Sequence, residues 1–184
     1  TLWMGTSTGS APTDVISVAS TGSITQSAGT LAVRDFLTAV GGTVTQSGTG
    51  LFKQYHDFRN LGTFTSTGGT FEVAGTGGGN AFNSPGTNQF FNVTIDAGIT
   101  ADFSSNIAAS ILVRGDWTNN GTASMTASAT TTTFNGSGAQ SIGGTSSTTF
   151  SNLTIDKSAG TATLAVNTNV ATALTVKAGN TLAL

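Results

Sequence analysis

The sequence has no cysteine, only two prolines and one histidine, and just 8% of its residues are charged. An ordinary soluble domain carries roughly 25% charged residues. Without cysteine there is neither a disulfide framework nor a thiolate metal site. A regular fold of 184 residues needs no such staples, so this absence leaves the compartment open. The formal net charge is -2 and the pI about 4.9. No basic patch exists to release counterions from a nucleic acid, and no nucleic-acid partner is expected. No apolar run approaches the ~18 residues of a membrane span. No signal peptide is visible and residue 1 is threonine, as expected of either a processed secreted protein or an excised fragment.

Thr, Ser, Gly and Ala fill the space that charge leaves, with glycine alone at 25 residues. Disordered chains combine low hydrophobicity with high net charge and few aromatics. Here the net charge is small and the 11 phenylalanines recur in register, which excludes disorder.

Three segments align without gaps at a step of 20: Gly22-Ser23-Ile24-Thr25-Gln26-Ser27, Gly42-Thr43-Val44-Thr45-Gln46-Ser47 and Gly62-Thr63-Phe64-Thr65-Ser66-Thr67. Ile24, Val44 and Phe64 form one column, and Leu31, Leu51 and Phe71 are expected to form a second. Apolar residues alternate with Thr or Ser, the period of a strand with one buried face. Gly ahead of each strand is expected to permit the sharp turn of a coil corner. Longer matches recur further on. Phe90-Phe91-Asn92-Val93-Thr94-Ile95-Asp96 matches Phe150-Ser151-Asn152-Leu153-Thr154-Ile155-Asp156, residues 106–114 match 169–177, and Gly62-Thr63-Phe64-Thr65 matches Gly121-Thr122-Ala123-Ser124. Gly77-Gly78-Gly79 to Pro85-Gly86 reads as an inserted, turn-rich bulge.

No stretch has convincing helical periodicity. The Leu/Asn consensus of leucine-rich repeats is missing, propeller blades need about 40 residues, and the six-residue step of a hexapeptide left-handed solenoid is not seen. The expectation is a single domain, residues 1–184: an all-β, right-handed parallel β-solenoid (a β-helix) of roughly nine coils of about 20 residues. Like residues would stack on like from coil to coil, and Gln26 and Gln46 would form an amide ladder.

The segments Phe150-Ser151-Asn152-Leu153-Thr154-Ile155-Asp156, Gly179-Asn180-Thr181-Leu182 and Arg114-Gly115-Asp116-Trp117-Thr118-Asn119-Asn120-Gly121-Thr122 resemble repeats of large secreted bacterial surface proteins with β-helical, adhesin-like regions. The resemblance implies a stalk, fibre or adhesive surface at the cell surface or outside the cell, with no shared catalytic motif.

The expected function is a structural subunit of an extracellular filament or surface stalk. Copies would join head to tail through uncapped ends at Leu2, Trp3, Met4, Leu182 and Leu184, since open solenoid edges invite pairing. An adhesin is the first alternative, with the loop at residues 80 to 88 and Phe82 as its patch and a surface glycan or cell-surface ligand as its partner. An ice-binding face is the second, from the Thr-x-Thr units at 43–45, 63–65 and 161–163. No enzyme, cofactor or metal site is expected.

Asp35-Phe36, Asp57-Phe58 and Asp116-Trp117 recur at similar places. Stacked carboxylates could hold a cation or act as an acid/base pair. Solvated turns neutralised by Arg34, Arg59 and Arg114 are the simpler reading. His56 reads as a loop residue. Arg114-Gly115-Asp116 reads as a coil corner, Gly77-Gly78-Gly79 lacks the Lys-Ser/Thr of a phosphate loop, and four Asn-x-Ser/Thr sequons begin at Asn92, Asn120, Asn135 and Asn152.

Overall fold

The computed structural model describes residues 15–75, 80–103, 110–125 and 129–184. Every element among them is a β-strand, and every strand pair is parallel. The chain winds as a β-solenoid with three strands per coil, one on each of three faces. The third face is a single sheet of eight strands, from Thr30–Val33 to Thr181–Ala183, so about seven turns separate its first rung from its last. The described residues make fewer than the expected nine coils, since residues 1–14 lie outside them and five of the seven steps along the second face exceed 20 residues. Along the second face, Ile24, Val44, Phe64, Asn88, Ile111, Thr132, Leu153 and Leu174 lie in one register column, at steps of 20, 20, 24, 23, 21, 21 and 21.

The first face starts with Val15–Val18, Asp35–Thr38 and Phe58–Asn60. A single bridge from Phe58 to Phe82 carries it on to Asn80–Ala81, Thr100–Asp102 and Thr122–Ser124. Thr148–Ile155 is longer than the other strands of its coil and runs through a corner. It pairs with Thr122–Ser124 at its front and with Thr131–Phe134 of the second face at its back.

Parallel pairing in register sets like side chains one above another. Ten of the eleven phenylalanines are buried, in columns that touch across the interior. Phe36 stacks on Phe58 (5.5 Å, 12°) and Phe52 on Phe71 (5.3 Å, 16°). Phe36 meets Phe52, and Phe58 meets Phe71, edge to face at 5.0 Å. Such pairs add about 0.5–1.5 kcal/mol each beyond the area they bury.

The columns correct one expectation. Leu31 sits over Phe52, and Leu51 over Thr30. The corner before Leu51 holds four residues, 47–50, where its neighbours hold three, 27–29 and 67–69. One extra residue flips the facing of the strand that follows it. Leu51 is therefore half-buried on the outside and Phe52 fills the core.

Two of the long repeats also lie on different faces. Asn92–Ile95 belongs to the third face, whereas Asn152 to Ile155 pair on the second. Thr63–Ser66 is on the second face and Thr122–Ser124 on the first. The 63-residue repeat holds within the described residues, since Ile111 and Leu174 share a column.

Buried amides tie the corners. Gln46 Nε2 donates to Gln26 Oε1 at 3.3 Å, and also to the carbonyls of Gly50 (2.9 Å) and Thr70 (3.0 Å). The expected amide ladder is present and stops at Ser66, which is too short to continue it and donates to Gly68 O instead. Asn60, Ser84 and Asn88 form a second such network, with Ser84 Oγ donating to Asn88 Oδ1 at 2.7 Å. Buried turn carbonyls need these partners because water cannot reach them.

Gly42, Gly62 and Gly86, ahead of second-face strands, are required by crowding between coils rather than by turn conformation. A Cβ on Gly62 would lie 2.2 Å from Gly42 O and 2.6 Å from Ala39 O, both backbone atoms. Gly62→Ala is therefore expected to cost about 1–3 kcal/mol, as overpacking does. Gly138→Ala, with nothing within 4 Å, should stay within about 0.5 kcal/mol. Urea denaturation of the two variants beside the parent checks the difference.

Candidate functional site

The carboxylates singled out in the sequence are only partly brought together. Asp35 and Asp57 stand on neighbouring coils of the first face, at the start of the column in which Phe36 lies over Phe58. His56 Nδ1 lies 2.7 Å from Asp35 Oδ1 and 3.5 Å from Asp57 Oδ1. The three ligand atoms are all within 4.8 Å of one another. Asp35 Oδ1 also accepts the backbone N–H of Asp57, at 3.2 Å. Arg34 forms an ion pair with Asp35. That guanidinium supplies from within the chain the positive charge that a cation would bring.

Asp116 does not join this cluster, contrary to the expected recurrence. Trp117 stands on the third face between Val93 and Ile142. An Asp followed by an aromatic marks the entry to a strand, and such entries occur on more than one face. Trp117 is buried and its Nε1 donates to Thr148 Oγ1 at 3.1 Å. Within Arg114-Gly115-Asp116, the Gly115 N–H donates to Phe91 O, the Asp116 N–H donates to Asn92 Oδ1, and Asp116 Oδ1 accepts from the Ser141 N–H. The tripeptide is a laced coil corner, as its place in the repeat implied. Of the sequons, Asn92 and Asn152 are in strands while Asn120 and Asn135 follow strands. Gly77-Gly78-Gly79 lies outside the described residues.

Phe82 corrects a further expectation. It is buried and stacks on Phe103 at 4.2 Å and 23°, so it cannot serve as an exposed aromatic for a ligand. An open cleft of about 550 Å³ beside it is lined by Leu61, Pro85, Thr87, Asn88, Ser110 and Leu112, and no charged side chain enters its lining.

One cluster gave no signal in the sequence because its members are 19 and 24 residues apart. On the third face Lys53 sits directly opposite Glu72 and forms an ion pair with it. Lys53 Nζ is 3.9 Å from Asp96 Oδ2 and 5.8 Å from the centre of the Tyr55 ring. Burial opposes the Lys53 charge, but the Glu72 hydrogen bond and the negative field of Glu72, Tyr55 and Asp96 outweigh it and hold its pKa above the ordinary value. Asp96 is raised too, first by burial and then by the Glu72 carboxylate beside it, with Lys53 offsetting part of the effect. Lys157 is the other unusual charge. Its ammonium is buried and donates to Gly136 O, Gly138 O and Gln140 Oε1, and desolvation lowers its pKa against the pull of Asp116. Three acceptors inside one corner read as a structural clamp.

The expected joints are divided. Leu2, Trp3 and Met4 lie outside the described residues. Leu184 is 98% exposed and Leu182 half-buried, at the last rung of the third face. That rung ends a column whose preceding members are buried. On the second face Leu153 and Ile155 are 1% and 0% exposed, while Leu174 and Val176, one coil further on in the same columns, are 51% and 42% exposed. A recess lined by Leu164, Ala165, Val166, Asn167, Thr168 and Leu184 opens at this end, and another at the opposite end between Ile24 and Leu31.

No helix among the described residues is long and apolar enough to cross a membrane. No family model matches the chain, and neither does any curated protein or solved structure.

The raised Asp96 pKa carries a sign. Stability from the protonated carboxyl is fully present below the ordinary value of 3.8 and is lost as pH rises through the higher folded value. Asp96→Asn removes the repulsion with Glu72 and supplies an amide donor. The variant should melt higher than the parent at pH 7, by no more than about 2–4 °C for a half-buried pair that water still screens, and match it near pH 3. Thermal melts at both pH values check this.

Proposed function

We propose that this chain is a structural module of an extracellular filament or surface stalk, whose copies stack coaxially through their open ends. The supporting observation is the abrupt exposure of the core columns at the terminal rung, where Leu174, Val176 and Leu184 are uncovered. A further coil laid there would bury these side chains and pair the free backbone edge of Thr168–Val176. The proposal assigns that coil to a second copy. Among the described residues, the opposite end of the second and third faces is the edge of Ser23–Gln26 and Thr30–Val33. Joining unlike ends generates an open filament when the rotation does not close.

The scarcity of charge supports a rod that works by shape, since a chemical site needs converging ionisable groups. The adhesin alternative loses its aromatic anchor with the burial of Phe82.

The test is sedimentation and electron microscopy of the full chain over a range of concentrations. The parent is expected to form rods that lengthen with concentration. Leu184→Lys places an ammonium in the joint at a position already exposed in the single chain. It should keep the fold and weaken association more than roughly tenfold, because burying an uncompensated charge costs several kcal/mol. A parent that stays monodisperse at high concentration would overturn the proposal.

A further inference from the structure

Beyond the filament reading, we infer that the second face is an adsorption surface for ice. Its outward positions fall into two columns. The first runs Ser23, Thr43, Thr63, Thr87, Ser110 and Thr131, a hydroxyl on six successive rungs, and continues to Asn152. The second runs Thr25, Thr45 and Thr65, is interrupted by Gln89 and Leu112, and resumes with Thr133, Thr154 and Thr175. Between the columns the side chains point inward, and Val44, Phe64, Ile111 and Leu153 among them are buried. Of the Thr-x-Thr units noted in the sequence, 43–45 and 63–65 belong to this face. Thr161 to Thr163 is on the third face and does not contribute.

The pairing makes a rectangular net of hydroxyls, about 4.8 Å apart from rung to rung and about 6.6 Å along each strand. Threonine suits a net because branching at Cβ stiffens χ1, so each hydroxyl and methyl is fixed before any partner arrives. Weak contacts to a lattice add up only if the spacing holds from rung to rung, and the register here is unbroken from Ser23–Gln26 to Thr148–Ile155.

A second, independent feature selects the partner. Thirteen of the fourteen charged residues lie in the described regions, and none stands on a second-face strand. Asp35, Asp57, Arg59 and Asp102 are on or beside the first face, and Lys53 and Glu72 are on the third. Arg114, Asp156 and Lys177 stand just past the ends of second-face strands, outside the two outward columns, and Lys177 is paired with Asp156. A charge would impose its own hydration shell and break an ordered water layer. Other partners fit less well. The aromatics of these strands, Phe64, Phe90 and Phe134, all point inward and are buried, which leaves no ring for a sugar to stack on. The Trp, Tyr and Arg anchors of a protein interface are missing from the face as well. An uncharged, periodic lattice of water is the partner this surface fits.

The test measures inhibition of ice recrystallisation by the full chain and three variants, each first shown to be folded by far-UV circular dichroism. Thr45 is exposed and sits at the centre of the complete patch formed by Ser23, Thr25, Thr43, Thr63 and Thr65. Thr45→Lys should lower the activity by roughly tenfold or more, the factor that about 1.4 kcal/mol produces. Thr45→Val, which keeps the shape and removes one hydroxyl, should lose less. Thr118→Lys, on the third face, should lose nothing. A folded parent without activity overturns the inference, and so does an equal effect of lysine at 45 and 118. Binding of the parent to powdered crystalline cellulose or chitin, with no effect on ice, overturns it in favour of a glycan surface. Because these readings are taken on the single chain, they are independent of whether copies assemble end to end.

Discussion

Everything in this structure depends on the stacking of each coil on the next in parallel register. A coil of 20 to 24 residues cannot close a core around itself. Its inward side chains are covered only by the rungs above and below, so stability is a property of neighbouring pairs. The aromatic columns, the buried amides at the corners and the crowded glycines all express this one constraint. Gly62 must lack a side chain because the backbone of the coil below passes where a Cβ would be. Gln46 reaches three partners because two turns and another glutamine converge on it.

The same stacking separates the faces by chemistry. The interior is filled by phenylalanine and aliphatic residues, and polar groups enter it mainly at corners, where turn carbonyls need donors. Outside, charged residues gather in three small groups among the described residues: Arg34 with Asp35 and Asp57 on the first face, Lys53 with Glu72 and Asp96 on the third, and Asp156 with Lys177 just past the ends of second-face strands. Each joins neighbouring coils and contains its own counter-charge. The second-face strands carry no charge, and their outward columns are hydroxyls except at Gln89, Leu112 and Asn152 up to the rung of Thr148–Ile155; the regularity comes from the backbone ladder below.

Much of this arrangement can be read from the chain. The column Ile24, Val44, Phe64 and the pair Gln26, Gln46 are visible because the first coils share one length and one corner. Legibility fails where a corner changes by a single residue. The additional residue in 47–50 puts Phe52, not Leu51, over Leu31. It also fails where faces imitate one another, since Phe90 to Asp96 and Phe150 to Asp156 turn similar corners onto different faces. The cluster of Lys53, Glu72 and Asp96 was illegible for a related reason. Its residues are isolated in sequence and meet only once the coil lengths are known. Phe82 looked like part of a surface loop because glycine and proline surround it, yet the bridge to Phe58 draws it into the core.

The direction of the backbone hydrogen bonds has a mechanical consequence. They run along the rod axis, so a pull on the last residue loads them one after another instead of all at once. Thr181–Ala183, which among the described residues pairs only with Thr161–Leu164, would peel first, and Thr168–Val176 after it. Each coil released would add about 70 Å of slack, from some 21 residues at ~3.4 Å each. Under tension a rod built this way yields coil by coil, in steps of 20 to 24 residues.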